Sequence, residues 1–463
     1  MKTIHVIRSG RVVTPEGVKA ATVHIRNGTI TAVRNFDDLP GGANVYDARE
    51  SVVIPGLVDT HVHINEPGRT DWEGFETATR AAAAGGITTL IDMPLNSIPA
   101  TTTVAGLEAK RSAARKKCWV NVGFWGGVVP GNAGELRAMY RAGVFGFKCF
   151  LVPSGVPEFE HVTEQDLRTA MPRLVELGAP LLVHAELPEP IEKRMKQLGK
   201  ADPTKHSTWL FSRPPAAEYD AIALIIRLCR EFMARTHIVH LSNARALGLF
   251  RRAKKAGLPI SVETCPHYLY FSPRDIGRGA TEFKCAPPIR EKDNRKRLWN
   301  GLVKGTIDLV ASDHSPSPPD MKCRDTGDFF RAWGGISSVQ LSLSVMWTLM
   351  TDRDYPLDWL VRWMCAEPSR LAGLQKCKGA IAAGYDADLV IFNPTEKFKV
   401  QLDAPKRVNK EPFKFHSRHK LTPYANRVLR GMVEATFLRG EMIYDRGRFL
   451  GAPRGGLLRR GER

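Results

Sequence analysis

Two histidines separated by a single residue are the clearest chemical feature of this sequence. His61 and His63 stand at the end of the apolar run Gly56–Val62, and residues two apart in a strand point to the same side. Both imidazoles could therefore reach one metal ion. Four further residues with suitable chemistry lie within or close after other apolar runs: Lys148, His184, His240 and Asp313. Imidazole and oxygen ligands suit zinc best, with iron, cobalt or manganese as alternatives.

Lys148 is unusual because it lies inside an apolar run, Gly143–Leu151. Burial lowers the pKa of a lysine and keeps part of its amine neutral. A neutral amine can take up carbon dioxide and form a carbamate, whose two oxygens can bridge two metal ions. Such a pair of metals can share a hydroxide and polarise a carbonyl, which is an arrangement used for hydrolysis.

Each of these residues also has a structural interpretation. A single histidine on an apolar strand is more often a hydrogen-bonded core residue than a ligand. Lys148 could pair with a buried carboxylate, and Asp313 could cap a helix. Four histidines at the ends of predicted strands favour metal binding over these alternatives. The position of Asp313 close after the run Leu309-Val310-Ala311 favours a catalytic role.

The elements that must position these residues form an alternating pattern between residues 55 and 379. Near-continuous apolar runs are typical of parallel strands buried on both faces. Most are followed by a helix-like stretch, such as Ala78–Ala84, which ends at Gly85-Gly86, or His161–Gly178. Eight such units predict an α/β fold with a closed (β/α)8 TIM barrel, whose chemistry gathers at the C-terminal strand ends. The predicted strands are Gly56–Val62, Ile87–Met93, Trp119–Trp125, Gly143–Leu151, Pro180–His184, His237–Leu241, Ile260–Glu263 and Ile307–Ala311.

Both ends of the chain are predicted to form short strands joined by tight turns. The turn pairs are Asn27-Gly28, Arg439-Gly440 and Arg446-Gly447. We expect residues 1–54 and 380–463 to build one small β-sandwich domain, and residues 55–379 to build the metal-dependent barrel. The predicted terminal strands are Ile4–Val13, Ala21–Ile25, Thr29–Val33, Ala387–Phe392, Arg427–Gly431 and Glu434–Phe437.

Length and composition exclude several classes of protein. The chain has 463 residues, of which 43 % are apolar and 25 % charged, as in globular proteins with one large and one smaller domain. No apolar run reaches the roughly 18 residues of a membrane-spanning helix. Eight cysteines without a Cys-x-x-Cys pair indicate reduced thiols, and Met1–Val6 indicates a strand rather than a signal peptide. The expected compartment is the cytoplasm.

The chain is strongly basic, with 67 basic and 48 acidic residues and a net charge of +19. The basic residues are spread along predicted surface helices such as Lys110–Lys117 and Arg251–Lys255, with one basic tail at Arg454–Arg463. Few aromatic residues interleave with them, so stacking platforms for bases are not evident. We therefore expect a solvated basic surface, with neither nucleic acid nor membrane as a partner.

The candidate metal residues resemble the ligand set of the binuclear cyclic amidohydrolases, which include dihydroorotases, hydantoinases (dihydropyrimidinases) and allantoinases. The flanking segments are most similar to those of allantoinases. Asn65 stands where dihydroorotases typically carry an arginine that helps to hold a substrate carboxylate, and Ser317 stands where allantoinases often carry cysteine. The similar segments extend over most of the chain: 63–75, 92–97, 148–156, 263–268, 284–290, 312–316, 333–336 and 419–424.

The resemblance implies hydrolysis of (S)-allantoin to allantoate, which opens a hydantoin ring in purine catabolism. It also implies two divalent metal ions per subunit. The implied ligands are His61 and His63 with Asp313 for the more buried metal, His184 and His240 for the more exposed metal, and a carboxylated Lys148 that bridges the two. Asp313 would take a proton from the attacking hydroxide and deliver it to the leaving ring nitrogen.

Substrate contacts and assembly are also implied by the resemblance. The backbone near Ala286 and Gly334 corresponds to segments with which related hydantoinases grip the ring imide, whereas Asn96 could bind substrate or cap a turn. His267 and His314 are expected to support ligands rather than to bind metal. The family favours a homotetramer. A hydantoinase acting on another cyclic ureide and a non-catalytic dihydropyrimidinase-like scaffold are the alternatives, and the complete ligand set argues against the scaffold.

Overall fold

The computed structural model describes residues 5–402 and 413–462. The first residue of the predicted strand Ile4–Val13, the last residue of the basic tail and part of the predicted terminal domain lie outside the described residues. No helix within these ranges is long and apolar enough to cross a membrane. The strands, in chain order, are Val6–Thr14, Gly17–Arg26, Thr29–Asn35, Val45–Asp47, Val52–Pro55, Leu57–Val62, Ile87–Asp92, Asn121–Phe124, Gly126–Gly127, Phe147–Phe150, Leu181–His184, Thr236–Ile238, Ile260–Thr264, Leu309–Val310, Leu389–Lys399, Val428–Leu438, Glu441–Asp445 and Arg448–Phe449.

Strands from both ends of the chain join in one nine-stranded sheet. Val52–Pro55 connects the two ends, because it pairs in parallel with Val6–Thr14 and antiparallel with Leu389–Lys399. The described terminal strands therefore form one continuous hydrogen-bonded sheet. We call it the terminal sheet.

The turn pairs of the terminal sheet adopt the backbone that the sequence predicts. Both residues of Asn27-Gly28 have positive φ angles, 52° and 78°, and so do both residues of Arg439-Gly440, at 49° and 76°. Two consecutive positive φ angles are typical of the type I′ turn that matches the twist of a hairpin. These turns fix the register of the strands on either side.

Parallel strands overlap each of the eight predicted apolar runs. Leu57–Val62, Ile87–Asp92 and Asn121–Phe124 form a three-stranded parallel sheet. A second parallel sheet has six strands, in the order Leu309–Val310, Ile260–Thr264, Thr236–Ile238, Leu181–His184, Phe147–Phe150 and Gly126–Gly127. Nearly all residues of these strands are buried, which explains why their sequences are apolar runs and not alternating patterns.

Backbone contacts connect the two parallel sheets at both edges. On one side, Asn121–Phe124 continues after a single residue into Gly126–Gly127 of the six-stranded sheet. On the other side, Val62 forms a parallel bridge with His314, and the backbone N–H of His63 donates to the carbonyl of His314 at 2.8 Å. The C-terminal end of the first central strand is therefore next to the segment that follows the last one.

Helices lie between the central strands and end where the sequence indicates. In one of them, Thr163 and Asp166 form a capping box at the N-terminus and Gly178 ends the helix in the left-handed conformation. The α-helices are Phe75–Ala84, Val104–Ala114, Leu136–Arg141, Glu164–Leu177, Pro188–Gln197, His206–Ser212, Pro215–Phe232, Leu247–Lys255, Pro266–Tyr270, Lys292–Val303, Ser342–Thr351, Leu357–Val361 and Glu367–Leu371, with a π-helical turn at Arg362–Ala366. Short 3-10 turns occupy Asn132–Gly134, Ala244–Ala246, Pro273–Asp275, Thr281–Phe283, Asp320–Lys322 and Val339–Leu341.

Candidate active site

All six candidate metal residues line one cavity of about 320 Å³. They reach it from different central strands, either from the strand itself or from the residues that follow its C-terminal end. Their side chains are almost completely removed from solvent. The six are His61, His63, Lys148, His184, His240 and Asp313.

The imidazole rings form a chain across the floor of the cavity. The ring centroid of His61 lies 5.6 Å from that of His63 and 5.4 Å from that of His240, and His240 lies 4.6 Å from His184. Asp313 completes one end, because its Oδ1 is 3.2 Å from Nε2 of His61 and 3.7 Å from Nε2 of His63. The ligand atoms of His61, His63 and Asp313 lie within 4.8 Å of one another, which is a possible metal site.

Lys148 lines the same cavity and is fully buried. Its Nζ is 5.0 Å from the ring centroid of Phe150, which in turn stacks on His184 at 4.5 Å. Burial lowers the pKa of Lys148 to about 8, although the carboxylates of Asp313 and Glu263 act in the opposite direction. The amine is therefore closer to its neutral form than that of a surface lysine.

Several buried donor and acceptor atoms of the site make no hydrogen bond with any described residue. They include Nε2 of His61, Nδ1 of His240 and Nζ of Lys148. Buried polar atoms without partners are rare in folded proteins, and bound ions are one way to satisfy them. The donor set of this site thus fits divalent cations held by imidazole and carboxylate groups.

Burial also sets the protonation of the imidazoles. The pKa of His184 is lowered to about 4 by burial, and burial lowers the pKa values of His63 and His240 well below the ordinary range. These rings are neutral at physiological pH. A neutral imidazole is the form that binds a metal ion, so the site needs no proton release from these rings to accept one.

Two residues of the site have strained backbone conformations. His240 has a φ angle of 40° and Asp313 one of 46°, in the left-handed region that residues other than glycine seldom adopt. Such strain persists where the surrounding structure imposes it, and it is concentrated at functional sites. Here it turns each side chain toward the cavity at the end of its strand.

Glu263 is a buried carboxylate that the sequence interpretation did not select. It accepts hydrogen bonds from Nδ1 of His61 at 2.5 Å, from Nε2 of His237 at 3.0 Å and from the backbone N–H of His240 at 3.2 Å. Burial alone would raise its pKa, but the imidazoles of His61 and His237 hold it below the ordinary range. Glu263 therefore fixes the orientation of His61 and leaves Nε2 as the nitrogen available to a metal. The sequence did contain a signal for Glu263, namely a charged residue at the end of the apolar run Ile260–Glu263.

A second buried carboxylate, Glu186, orients His184. Its Oε2 lies 2.9 Å from Nε2 of His184 and accepts a hydrogen bond from Nη1 of Arg213 at 2.6 Å. Burial alone would raise the pKa of Glu186, but Arg213 and His184 lower it to about 2. The spacing of His184 and Glu186, two residues apart after a strand, was a signal for this pair. No local pattern pointed to Arg213.

The three predicted substrate-contact residues also line the cavity. Asn96 has a φ angle of 64°, and its Nδ2 lies 3.4 Å from Nδ1 of His63. Asn96 thus contacts a candidate ligand directly. Ala286 and Gly334 line the same cavity.

The two other histidines considered in the sequence, His267 and His314, have different surroundings. Nδ1 of His314 accepts the backbone N–H of Ser338 at 3.0 Å, and its Nε2 lies 3.5 Å from Glu73. His267 is fully buried, and neither of its ring nitrogens bonds to a described residue. Together with Cys265 and Asp313 it forms a second possible group of ligands. The structure therefore places His314 in a supporting network, whereas His267 retains free ring nitrogens.

Known proteins similar to this chain have one kind of activity in their names. Residues 52–443 match the amidohydrolase family. An allantoinase of Streptomyces avermitilis is 48 % identical over 98 % of both chains. An allantoinase of Arabidopsis thaliana is 41 % identical, over 96 % of this chain and 88 % of its own. An allantoinase of Saccharomyces cerevisiae is 45 % identical, over 85 % of this chain and 82 % of its own.

Solved structures with the same fold carry related names. The L-hydantoinase (dihydropyrimidinase) of Arthrobacter aurescens superposes with a TM-score of 0.91 at 30 % identity, over 97 % of this chain and 98 % of its own. A D-hydantoinase (dihydropyrimidinase) from Thermus sp. has a TM-score of 0.87 at 27 % identity, over 98 % of each chain. The likeness extends over the terminal sheet as well as the central strands.

Proposed function

We propose, from the premise that this chain belongs to the amidohydrolase family and within it to the allantoinases, that it hydrolyses the cyclic amide of allantoin to allantoate. The observation that carries the proposal is the convergence of six ligand-type side chains on one cavity, in a chain 48 % identical to an allantoinase over 98 % of both lengths. The resemblance derived from the sequence is confirmed at the level of the family.

We propose a closed (β/α)8 barrel as the arrangement of the two parallel sheets. The links at both edges of the sheets support it, because the bridge between Val62 and His314 joins the first central strand to the segment that follows the last central strand. The division into a barrel of residues 55–379 and a smaller β domain of residues 1–54 and 380–463 stays a prediction. It is supported by the pairing of Val52–Pro55 with Leu389–Lys399 across the two ends.

The residues present would hold two divalent cations, with zinc as the most natural metal and iron, cobalt or manganese as alternatives. When bound, the cations would supply an activated water molecule and polarise the amide carbonyl. We assign His61 and His63 with Asp313 to one cation, and His184 with His240 to the other. Lys148 would bridge them as a carbamate, which is supported by its unpartnered, buried Nζ and its lowered pKa.

The chain's own groups would position the substrate and move the proton. The carboxylate of Asp313 would take the proton released by the attacking water and transfer it to the ring nitrogen that leaves. Its exposure is only 8 %, so bulk solvent has little access to that proton. The side chain of Asn96 and the backbone of Ala286 and Gly334 would hydrogen-bond the ring, since all three line the cavity.

Turnover of four cyclic substrates tests this proposal. Purified protein supplied with zinc, cobalt or manganese is offered allantoin, hydantoin, dihydrouracil and dihydroorotate, and ring opening is followed by product analysis. Allantoin should be opened with the highest kcat/KM. Rapid opening of dihydrouracil with inert allantoin would assign the chain to the hydantoinase alternative.

The bridging carbamate has its own test in Lys148. Lys148→Ala should abolish activity, because the variant lacks the amine that takes up carbon dioxide. Short carboxylates such as acetate or propionate added to this variant should restore part of the activity by occupying the vacated space. Full activity of Lys148→Ala would contradict the carbamate assignment, and metal analysis of the variant should show a reduced metal content.

We also propose a homotetramer in the cytoplasm. Six cysteines are buried and form no disulfide, which supports a reducing compartment. Light scattering on purified protein measures the mass directly, and a value equal to that of one chain, 51.4 kDa, would contradict the tetramer.

A further inference from the structure

Two buried lysines hold the loop Phe330–Gly335, which forms one wall of the cavity. Nζ of Lys284 donates to the carbonyl oxygens of Phe330 at 3.3 Å and Ala332 at 2.5 Å. Nζ of Lys322 donates to the carbonyl oxygens of Trp333 at 3.0 Å and Gly335 at 2.5 Å. Within the described residues, every hydrogen bond of these two amino groups goes to a backbone carbonyl of this loop. Lysines at 7 % and 4 % exposure are uncommon, so the arrangement needs a reason.

The N–H groups of the same loop are also satisfied, with one exception. Phe330 and Arg331 donate to the side chain of Asp328, and Ala332 donates to its carbonyl. Trp333 donates to the carbonyl of Met321, and Gly335 donates to the carbonyl of Lys284. The N–H of Gly334 has no partner in the part of the chain that the structure describes.

Open space borders Gly334, whereas its neighbour is tightly enclosed. A Cβ added at Gly334 would meet no atom within 4 Å. At Gly335, which has a φ angle of 124°, the same Cβ would lie 2.2 Å from the carbonyl oxygen of Ser315. The loop is therefore anchored at Gly335 and by four carbonyls, while the one peptide N–H of the loop left unbonded among the described residues is that of Gly334, which lines the cavity.

We propose that Lys284 and Lys322 are positioning residues that hold the loop so that Gly334 presents its N–H to the carbonyl of a cyclic amide substrate. This inference rests on the proposed function and extends it to the determinants of substrate affinity. The lysines touch the loop and not the candidate metal ligands. Their loss should weaken substrate binding and raise KM, and should leave kcat close to that of the unchanged enzyme.

Trp209 braces Lys284 from the other side. Nζ of Lys284 lies 4.4 Å from the ring centroid of Trp209, and Nε1 of Trp209 donates to the carbonyl of Cys285 at 3.1 Å. A cation against an aromatic face is held in a defined place without a carboxylate partner. The support of the loop therefore consists of named contacts that single substitutions can remove one at a time.

The test uses Lys322→Met and Lys284→Met, which remove the charge and keep most of the side-chain volume. Lys254→Met is the control, because Nζ of Lys254 also binds backbone carbonyls, those of Gly305 and Thr306, but Lys254 does not line the cavity. It differs from the loop lysines in having a carboxylate partner, Asp308, at 2.6 Å. Loss of one hydrogen-bonding amino group from the loop should raise the KM for allantoin roughly tenfold. We expect kcat to stay within about twofold, and both parameters of Lys254→Met to stay unchanged.

The outcomes separate this inference from the proposed function. An unchanged KM in both loop variants, or a loss confined to kcat, would overturn the positioning role. If Lys322→Met does not fold, the KM of Lys284→Met and hydrogen exchange of the unchanged enzyme test the positioning role. In that experiment saturating allantoin, or the cyclic ureide that is turned over, should slow exchange in the peptide covering residues 330–335, and unaltered exchange would overturn the inference. Failure of the unchanged enzyme to open allantoin counts against the proposed function alone. The KM values of the variants and of the unchanged enzyme are then compared on the cyclic ureide that the enzyme does open.

Discussion

Glu263 offers a sharp test of how the metal site is organised, because one carboxylate contacts two candidate ligand residues. It accepts hydrogen bonds from the ring of His61 and from the backbone of His240, and the third bond comes from His237. The substitution Glu263→Gln keeps the shape of the side chain and removes its charge. We expect it to weaken metal binding without unfolding the protein.

The magnitude follows from those contacts. A hydrogen bond to a charged acceptor contributes about 1.5–3 kcal/mol. The bonds from His61 and from the backbone of His240 both end on Oε1, and the bond from His237 ends on Oε2. Glutamine replaces one of these oxygens with an amide nitrogen and removes the charge, so the bond to His61 is either lost or no longer made to a charged acceptor. The expected loss is about 1.5–3 kcal/mol in metal binding, or roughly 10–100-fold in affinity, which agrees with the usual effect of residues that orient metal ligands.

The assay is a competition between the protein and a chromophoric chelator for zinc, with thermal unfolding measured in parallel. Asp388→Asn is the control, because Asp388 is also a buried carboxylate but bonds Lys378, Asn121 and the backbone of Arg439. The control should lose stability and keep its zinc affinity. Equal zinc affinity in folded Glu263→Gln and in the unchanged protein would refute the reasoning, as would an equal loss in the control.

Three further results are expected. Arg213→Met leaves the buried carboxylate of Glu186 with the neutral ring of His184 and no cation beside it, so we expect a lower metal content and kcat/KM; an intact metal content would contradict this role. Lys378→Met should lower the free energy of unfolding in urea by about 3 kcal/mol, since it leaves Asp388 unpaired. Burial alone would lower the pKa of Lys378, but the carboxylates of Asp388 and Asp386 raise it above the ordinary value. The difference in unfolding free energy between the unchanged protein and Lys378→Met should therefore be constant from pH 7 to about pH 9.5 and shrink only above the ordinary lysine pKa of 10.5. Prolonged chelation should abolish ring opening, and added zinc, cobalt or manganese should restore it; activity in metal-free protein would exclude a metal-dependent reaction.

The sequence predicts those residues of the site that lie at or near the ends of strands. His61 and His184 lie at the ends of apolar runs and Asp313 lies close after one, so the rule that barrel chemistry gathers at C-terminal strand ends is enough to group them. Lys148 is found by the same logic, because a charged residue inside an apolar run is visible without any structure. The structure places all of them around one cavity. Their roles as ligands remain a prediction.

The sequence does not reveal which residues from distant segments contact the residues of the site. Arg213 follows the helix His206–Ser212 and meets Glu186 only through the fold. Lys284 follows one short 3-10 turn and Lys322 ends another, and turns this short have no periodic pattern that distinguishes a buried lysine from an exposed one. Strand limits also differ: the predicted strand Gly143–Leu151 is reduced to Phe147–Phe150, because Gly143 has a φ angle of 99° and the chain turns there. Contacts between distant segments, which local patterns do not encode, decide each of these features.

The strand Val52–Pro55 has a consequence for how the molecule is made. It needs Leu389–Lys399 as its antiparallel neighbour, and it leads through Gly56, whose N–H donates to the carbonyl of Asp388 at 2.7 Å, directly into the strand that carries His61. A ribosome delivers that neighbour only after the whole central region has been synthesised. The catalytic pocket should therefore mature late, after translation has passed Lys399, and nascent chains arrested before that point should depend on chaperones to remain in solution.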